Sequence, residues 1–578
     1  MSGFLHCILR AAALPLLVVF ALTGCVDELT DINVDPNAFT EVSPEDLLSG
    51  SMKNGLDLIG GEMNNELFLT YGQYAGGIGG QFPRYFFTDA GVNEFWNDLY
   101  IDVLKSAQVI IDDYANDPAF ANRVRIARIW RAYVYSVAVA TWGPVPYASA
   151  LGDELDIRYD TEEAIYTDLL AELRAAAGGL DPAADRLARD PLFGGRTDHW
   201  IAFGNSLRLK LALRVTEAFP ALAEEHGREV MAPGVALITE NAGNAILRWG
   251  TTEENWSHYY RRYVFGNNNA QEPRVSDWYY LHVKGYDDPR ITAIMEPSEV
   301  PLTVLDTLFS VAGDSNVVVE YNIPYLGRPA GNDNTIPEWD VLPPENPLQG
   351  VFEENYSLAK LDVYFAPDAF YPLLTAGETR FLQAEAAVRG WGGERSAREY
   401  YETGIRLSFE RYGVSGADAY LAQDGIAWGA AAAGLRHFTG IVTTGITADP
   451  LDQIVTQRWL ATFWQGHDAW CLIRRTRLLD VPPHMEPDGP AQAIGFANVP
   501  ERMIYAPEEM AINRSGYETG LAALGGPDAL TTPLAIGRPD DYPDWRELRP
   551  DLNFDYAHGY YGDTLEELIA AGIPFTIQ

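Results

Sequence analysis

The chain is 578 residues long, 47% hydrophobic and 12% aromatic, which excludes a disordered polymer and promises a large core. Its 41 Lys and Arg stand against 81 Asp and Glu, a formal net charge of -40, so nucleic-acid binding, which needs clustered cations, is excluded. Three cysteines are too few for a disulfide framework, and Cys7 and Cys25 fall in the leader region.

Residues 1–24 read as a signal peptide. Arg10 precedes an apolar run, Ala11 to Ala21, too short to span a bilayer as a resident helix. The run closes on Leu22-Thr23-Gly24-Cys25, which resembles a bacterial lipobox and makes Cys25 the candidate lipidation site; the bland alternative is an ordinary secretory leader. Residues 25–43 form a polar tether ending in a Ser43-Pro44 helix start, and residues 44–578 form the main domain. Within the tether Asp31, Asn33 and Asp35 mimic a calcium loop. Pro36 and Val42 stand where its glycine and final glutamate belong, so no metal site is expected there.

From Pro44 to Ala177 the pattern is helical, including Phe95 to Tyr114, the nearly all-apolar Ile126 to Trp142, and Thr161 to Ala175. A long helix over Asp198 to Phe219 carries Arg208, Lys210 and Arg214 as paired or solvated charge. Residues 241–375 turn irregular, rich in Gly, Pro, Asn and Asp, with strand-like pieces such as Asn316–Asn322. Helices return at Thr375–Arg389 and Ser396–Tyr412. Last comes Leu451 to Arg477. Asp449 caps its helix, Pro450 takes the first position, and Leu451, Val455, Trp459 and Phe463 form a buried stripe that Gly466 ends. Such helix pairs suggest tetratricopeptide-like stacking, although a repeat of about 34 residues cannot be phased. The tail beyond Thr531 has no reading.

Several strings, in order, carry a resemblance: N-x-D-P-N-x-x-T-E-V from Asn33, W-G-x-V-P-Y from Trp142, F-L-x-A-E-A-A-x-R-G-W from Phe381, and Q-R-W-x-A-x-F from Gln457. Together, over roughly residues 22–515, they resemble the SusD/RagB family of outer-membrane nutrient-binding lipoproteins, its starch-binding-associating branch above all. Asp27-Glu28 after Cys25 resembles the acidic surface-export signal of such lipoproteins. The resemblance implies a mainly α fold of degenerate tetratricopeptide-like helix pairs with an irregular, loop-rich ligand region. It further implies a cell-surface protein, held in the outer membrane by an N-terminal lipid, that captures an oligosaccharide or peptide. The captured oligomer would pass to a SusC-like TonB-dependent transporter, with no catalysis and no cofactor required of this chain.

The residues agree about chemistry. No metalloprotease, paired C-x-x-C, nucleophile-elbow or phosphate-loop string occurs, Cys471 reads as a buried inert thiol, and His467-Asp468 reads as a loop pair. No catalytic residue is therefore assigned. Sugars offer C–H faces to rings and hydroxyls to amides and guanidinium groups, so a glycan site needs both on loops. Two regions supply them, Gln73 to Trp96 and Trp256 to Trp278, although each ring taken singly suits the core better. The candidates are Gln81, Arg84, Tyr85, Trp256, Tyr259 and Trp278, with Arg84 and Tyr85 in the neighbourhood that starch-binding relatives use. Trp96 reads as structural. Two other functions remain open, a surface glycoside hydrolase on a helical scaffold and a peptide-binding or scaffolding helical-repeat protein.

Overall fold

The computed structural model describes residues 43–76, 88–152, 156–267, 273–299, 302–311, 315–328, 356–433, 446–479, 499–537 and 575–577. Cys25, the tether and the segment with Gln81, Arg84 and Tyr85 lie outside the described residues.

The fold is mainly α. Helix α1 (Pro44–Gly55) starts as its sequence predicts, with Ser43 Oγ accepting the Asp46 N–H at 3.2 Å and Pro44 in the first turn. It runs on through π-helical turns to Tyr71. Helices α2 (Asp89–Asp98) and α3 (Lys105–Tyr114) are joined by a π-helical stretch, Leu99–Leu104. Helix α4 (Ala121–Trp142) is buried at every position from Ala132 to Trp142, as a rod apolar all round must be. Then come α5 (Glu162–Gly179), α6 (Thr197–Arg214), α7 (Pro220–Val230), α8 (Asp277–Gly285), α9 (Ala376–Val388) and α10 (Ala397–Tyr412). Helices pair as α1 with α3, α4 with α5, α6 with α7 and α9 with α10; the pairs stack through α3 on α4, α5 on α6 and α6 on α9.

Two helices thread this stack, α11 (Pro450–Ala461) and α12 (Gly466–Thr476). Asp449 caps α11 as expected, Oδ1 accepting the Leu451 N–H at 2.9 Å. The expected end at Gly466 is corrected: α11 stops at Ala461, and Gly466 begins α12. The reason is a corner at Trp464, whose φ is +78°. Asn64 holds it, donating to the Trp464 carbonyl at 3.0 Å and accepting the Gly466 N–H at 3.1 Å. His467 accordingly sits on a buried helix rather than in a loop. The Asp198–Phe219 helix is also shorter than expected, ending at Arg214.

The charges on α6 are buried and paired. Lys210 reaches Asp468 at 2.7 Å and Glu378 at 3.1 Å, and Arg214 reaches Asp468 at 3.2 Å. Glu378 also accepts Arg458 at 3.0 Å, while Glu385 takes both arms of Arg475 at 2.6 and 2.8 Å. One ionic layer thus ties α6, α9, α11 and α12 together. Strands accompany the helices, β4 to β8 of them in the irregular region: β1 (Ala75–Gly76), β2 (Val145–Pro146), β3 (Tyr159–Asp160), β4 (Ala245–Arg248), β5 (Arg274–Val275), β6 (Leu302–Val311), β7 (Ser315–Ile323), β8 (Phe370–Leu374) and β9 (Phe575–Ile577). They pair antiparallel as β1–β5, β2–β3, β4–β8 and β6–β7–β9, so the strand expected at Asn316–Asn322 exists and the last of the described strands joins it. Among the described residues no helix is long and apolar enough to cross a membrane.

Candidate ligand-binding face

The two predicted ligand regions meet through β1 and β5, with Ala75 opposite Val275 and Gly76 opposite Arg274. Ser276 fastens the junction: its N–H donates to the Tyr74 carbonyl at 2.9 Å and its hydroxyl to the Gln73 carbonyl at 2.6 Å. A third segment closes over it, the Arg328 carbonyl accepting the Asp277 N–H at 2.9 Å. Gly76 is required there, since a Cβ would lie 1.8 Å from that carbonyl oxygen. Beyond Gly76 the described chain resumes at Thr88, the cap of α2, so Gln81, Arg84 and Tyr85 belong to the segment between these two fixed points.

Trp256 lies half-buried at the head of a π-helical turn, Tyr260–Phe265. Its ring centroid is 5.1 Å from that of Tyr260 and 5.0 Å from that of Phe265, which is 61% exposed. The Trp256 N–H is already spent on the Thr251 carbonyl at 3.1 Å, so this residue offers ring surface rather than a donor. Arg261, exposed, donates to the Trp256 carbonyl at 3.3 Å and supplies a guanidinium beside the rings. An open aromatic group next to a guanidinium is the combination that sugar C–H faces and hydroxyls match. Sequence reasoning missed Tyr260, Arg261 and Phe265 as site residues. The usable signal was the four-residue step from Trp256 to Tyr260.

Tyr259 and Trp278 are placed otherwise. Tyr259 is 0% exposed: its hydroxyl accepts from Asn64 at 3.0 Å, and its ring centroid sits 5.0 Å from that of Trp464. One residue along a helical turn swings the side chain by about 100° and four residues bring it back to the same face, so Tyr259 and Tyr263 both point inward, where Tyr263 donates to Asn65 at 3.0 Å. Trp278, 2% exposed, packs its ring 5.5 Å from His282 inside α8. Burial leaves neither ring a face for a ligand. Trp96 is core as expected, 5.3 Å from Trp142.

The Cys471–His467 pair is enclosed. Cys471 lies 3.8 Å from His467 Nε2; burial opposes its charge, yet Arg214 and then His467 outweigh that and hold the thiol down at about 5. The void beside it measures about 10 Å3, enough for one water at most, so no substrate reaches the pair. Among the described residues one carboxylate group, Glu62, Glu94 and Asp98, has oxygens within 4.8 Å of one another. Burial and then the charges of Glu94 and Asp98 push Glu62 up to about 7, so near neutrality a proton supplies the counter-charge.

A stack of paired helices carrying an irregular arm defines the class, a mainly α helix-pair fold. A family profile described as "starch-binding associating with outer membrane" matches residues 36–506. The chain belongs to this SusD-like family of glycan-binding proteins, which associates with the outer membrane. Solved structures share the fold. A chitin-binding SusD homologue from Flavobacterium johnsoniae is 22% identical, with 87% of this chain and 99% of that one covered at a TM-score of 0.67. A SusD homologue from Bacteroides uniformis is 22% identical, with 85% and 99% covered at a TM-score of 0.68. No curated protein sequence matches the chain.

Proposed function

We propose that this protein captures an oligomeric nutrient, a glycan, at the cell surface and delivers it to a SusC-like TonB-dependent transporter. The observation that carries the reading is the open group Trp256, Tyr260 and Phe265 with Arg261 alongside, on the arm whose β1–β5 junction also launches the segment of Gln81, Arg84 and Tyr85. We assign these seven residues to ligand contact. Lipid attached at Cys25 anchors the domain through its tether, each buried CH2 contributing about 0.8 kcal/mol. Transport energy comes from the transporter, so binding suffices.

The experiment is calorimetry of the protein lacking residues 1–25 against starch, chitin and other glycan oligomers and against peptides, with product analysis of the same mixtures. Chitin joins the panel because one protein of this fold is named for binding it. Heat on one glycan class without new reducing ends is the expected result. Heat with new reducing ends would replace capture by hydrolysis, and heat on peptides alone would move the ligand class. Mass spectrometry of the membrane-extracted protein tests the anchor, an unmodified Cys25 removing it.

A further inference from the structure

A cleft of about 290 Å3 opens between α2 with Tyr100 after it, the residues Pro146, Ala150, Leu151 and Ile157, and Glu509–Asn513, and among the described residues it shares none with the ligand face. Tyr100, Pro146, Leu151, Ile157 and Ile512 wall it with carbon. Its polar groups are Asn97, Asn513 and Glu509, of which Glu509 is only 7% exposed. One carboxylate oxygen of Glu509 accepts the Tyr159 hydroxyl at 2.8 Å and the Asn513 amide at 3.0 Å. Glu508 beside it accepts the Asn97 amide at 2.5 Å. Neither glutamate has a cationic partner among the described residues, the nearby Arg514 being paired with Glu518 at 2.9 Å. A carboxylate taken out of water without a counter-charge is where an arriving cation gains most.

The mouth is apolar. Ile512, in the cleft lining, is 73% exposed, and Ile101, next in the chain to the lining residue Tyr100, is 64% exposed. Ile101 follows the lining residue Tyr100, while Asn97, also in the lining, bonds Glu508, and Lys105 Nζ donates to the carbonyl of the lining residue Leu151 at 2.5 Å. Large apolar side chains left in water around a cleft mark a contact surface. The two acids argue against an anionic membrane as the occupant.

We propose that this cleft docks a basic side chain, Lys or Arg, set among apolar residues on a protein partner. The stem of that side chain lies along Leu151, Ile157 and Ile512, and its head pairs with Glu509. For the partner's identity the proposal rests on the transport reading above, which makes it the extracellular face of the transporter barrel.

The test uses the full lipidated protein in its native outer membrane, carrying Glu509→Gln, Ile512→Glu or Ile101→Glu. The amount of barrel that co-purifies is the readout. Glu509→Gln keeps acceptors for Tyr159 and Asn513 while removing the charge. Each variant is expected to lower the co-purified barrel about tenfold or more, with glycan binding and melting temperature unchanged. A crosslinker placed at Ile512→Cys should land on a barrel segment bearing Lys or Arg. Barrel retained undiminished by all three variants overturns the docking cleft and leaves the transport reading standing. No barrel with the unsubstituted protein overturns both, while glycan capture is judged separately by calorimetry.

Discussion

Asp468 is the point where two cations from one helix converge, and among the described residues its carboxylate is the one that pairs with both Lys210 and Arg214. Burial favours the neutral form, but Lys210 and then Arg214 outweigh it and hold the group down at about 2. Replacing it by Asn leaves two buried cations short of a partner, which costs about 3–5 kcal/mol; chemical denaturation of Asp468→Asn should show a loss of that size. Asp277 behaves oppositely. It is buried at the β1–β5 junction with Oδ1 unpartnered among the described residues, and burial pushes its carboxyl up to about 7. The folded state therefore holds a proton that the unfolded state releases at the ordinary value of 3.8, so this group's contribution falls as pH rises from about 4 to about 7. Glu162, also pushed to about 7 by burial, acts in the same direction. Asp468 contributes stability above about 4 that is lost as pH falls toward about 2. Asp277→Asn should accordingly raise the melting temperature at pH 8 and leave it nearly unchanged at pH 4; equal shifts at both would refute the burial account. None of these charges could be sorted from the sequence, because the partners lie on helices hundreds of residues apart.

At the scale of elements, the corner between α11 and α12 shows where local pattern stops informing. The stripe of Val455 and Trp459 and the cap at Asp449 are local, and all were legible. The break after Ala461 was not, since Asn64 makes it from the other end of the chain. Gly466 looked like a helix stop and serves as a close crossing: a Cβ there would lie 2.3 Å from the Phe68 backbone carbon. Gly466→Ala must push apart α12 and the helix that ends at Tyr71, and a loss of about 1–3 kcal/mol is expected from overpacking. A melting temperature equal to the unsubstituted protein would mean the crossing is loose. The same limit applied to the ligand region, where Tyr259 and Tyr260 are adjacent and similar. Inward contacts decide which ring is displayed: the Tyr259 hydroxyl accepts from Asn64 and donates to the Gly60 carbonyl, and its ring packs on Trp464.

Across the whole molecule, labour is divided between a scaffold held by buried charge and aromatic packing and an arm whose rings stay open. The scaffold was readable because helix periodicity and capping are local signals. The arm was readable only as a composition, since its short strands take their meaning from partners such as β1 on β5. That division makes the capture role separable from stability. Trp256 and Phe265 touch each other and solvent, whereas Tyr259 and Trp278 are sealed in the core. Truncating an open platform ring removes ligand contact without leaving a cavity, and such rings contribute about 1–2 kcal/mol each when they anchor a ligand. Trp256→Ala and Phe265→Ala should therefore weaken glycan binding about tenfold while the melting temperature holds. Tyr259→Ala and Trp278→Ala should instead lower the melting temperature by opening core cavities, with costs of about 3–5 kcal/mol. Titration calorimetry beside thermal melts on the same preparations separates the two pairs. If the core substitutions abolished binding in a protein that melted normally, and the open rings proved silent, the ligand would have to enter on the side now assigned to the scaffold.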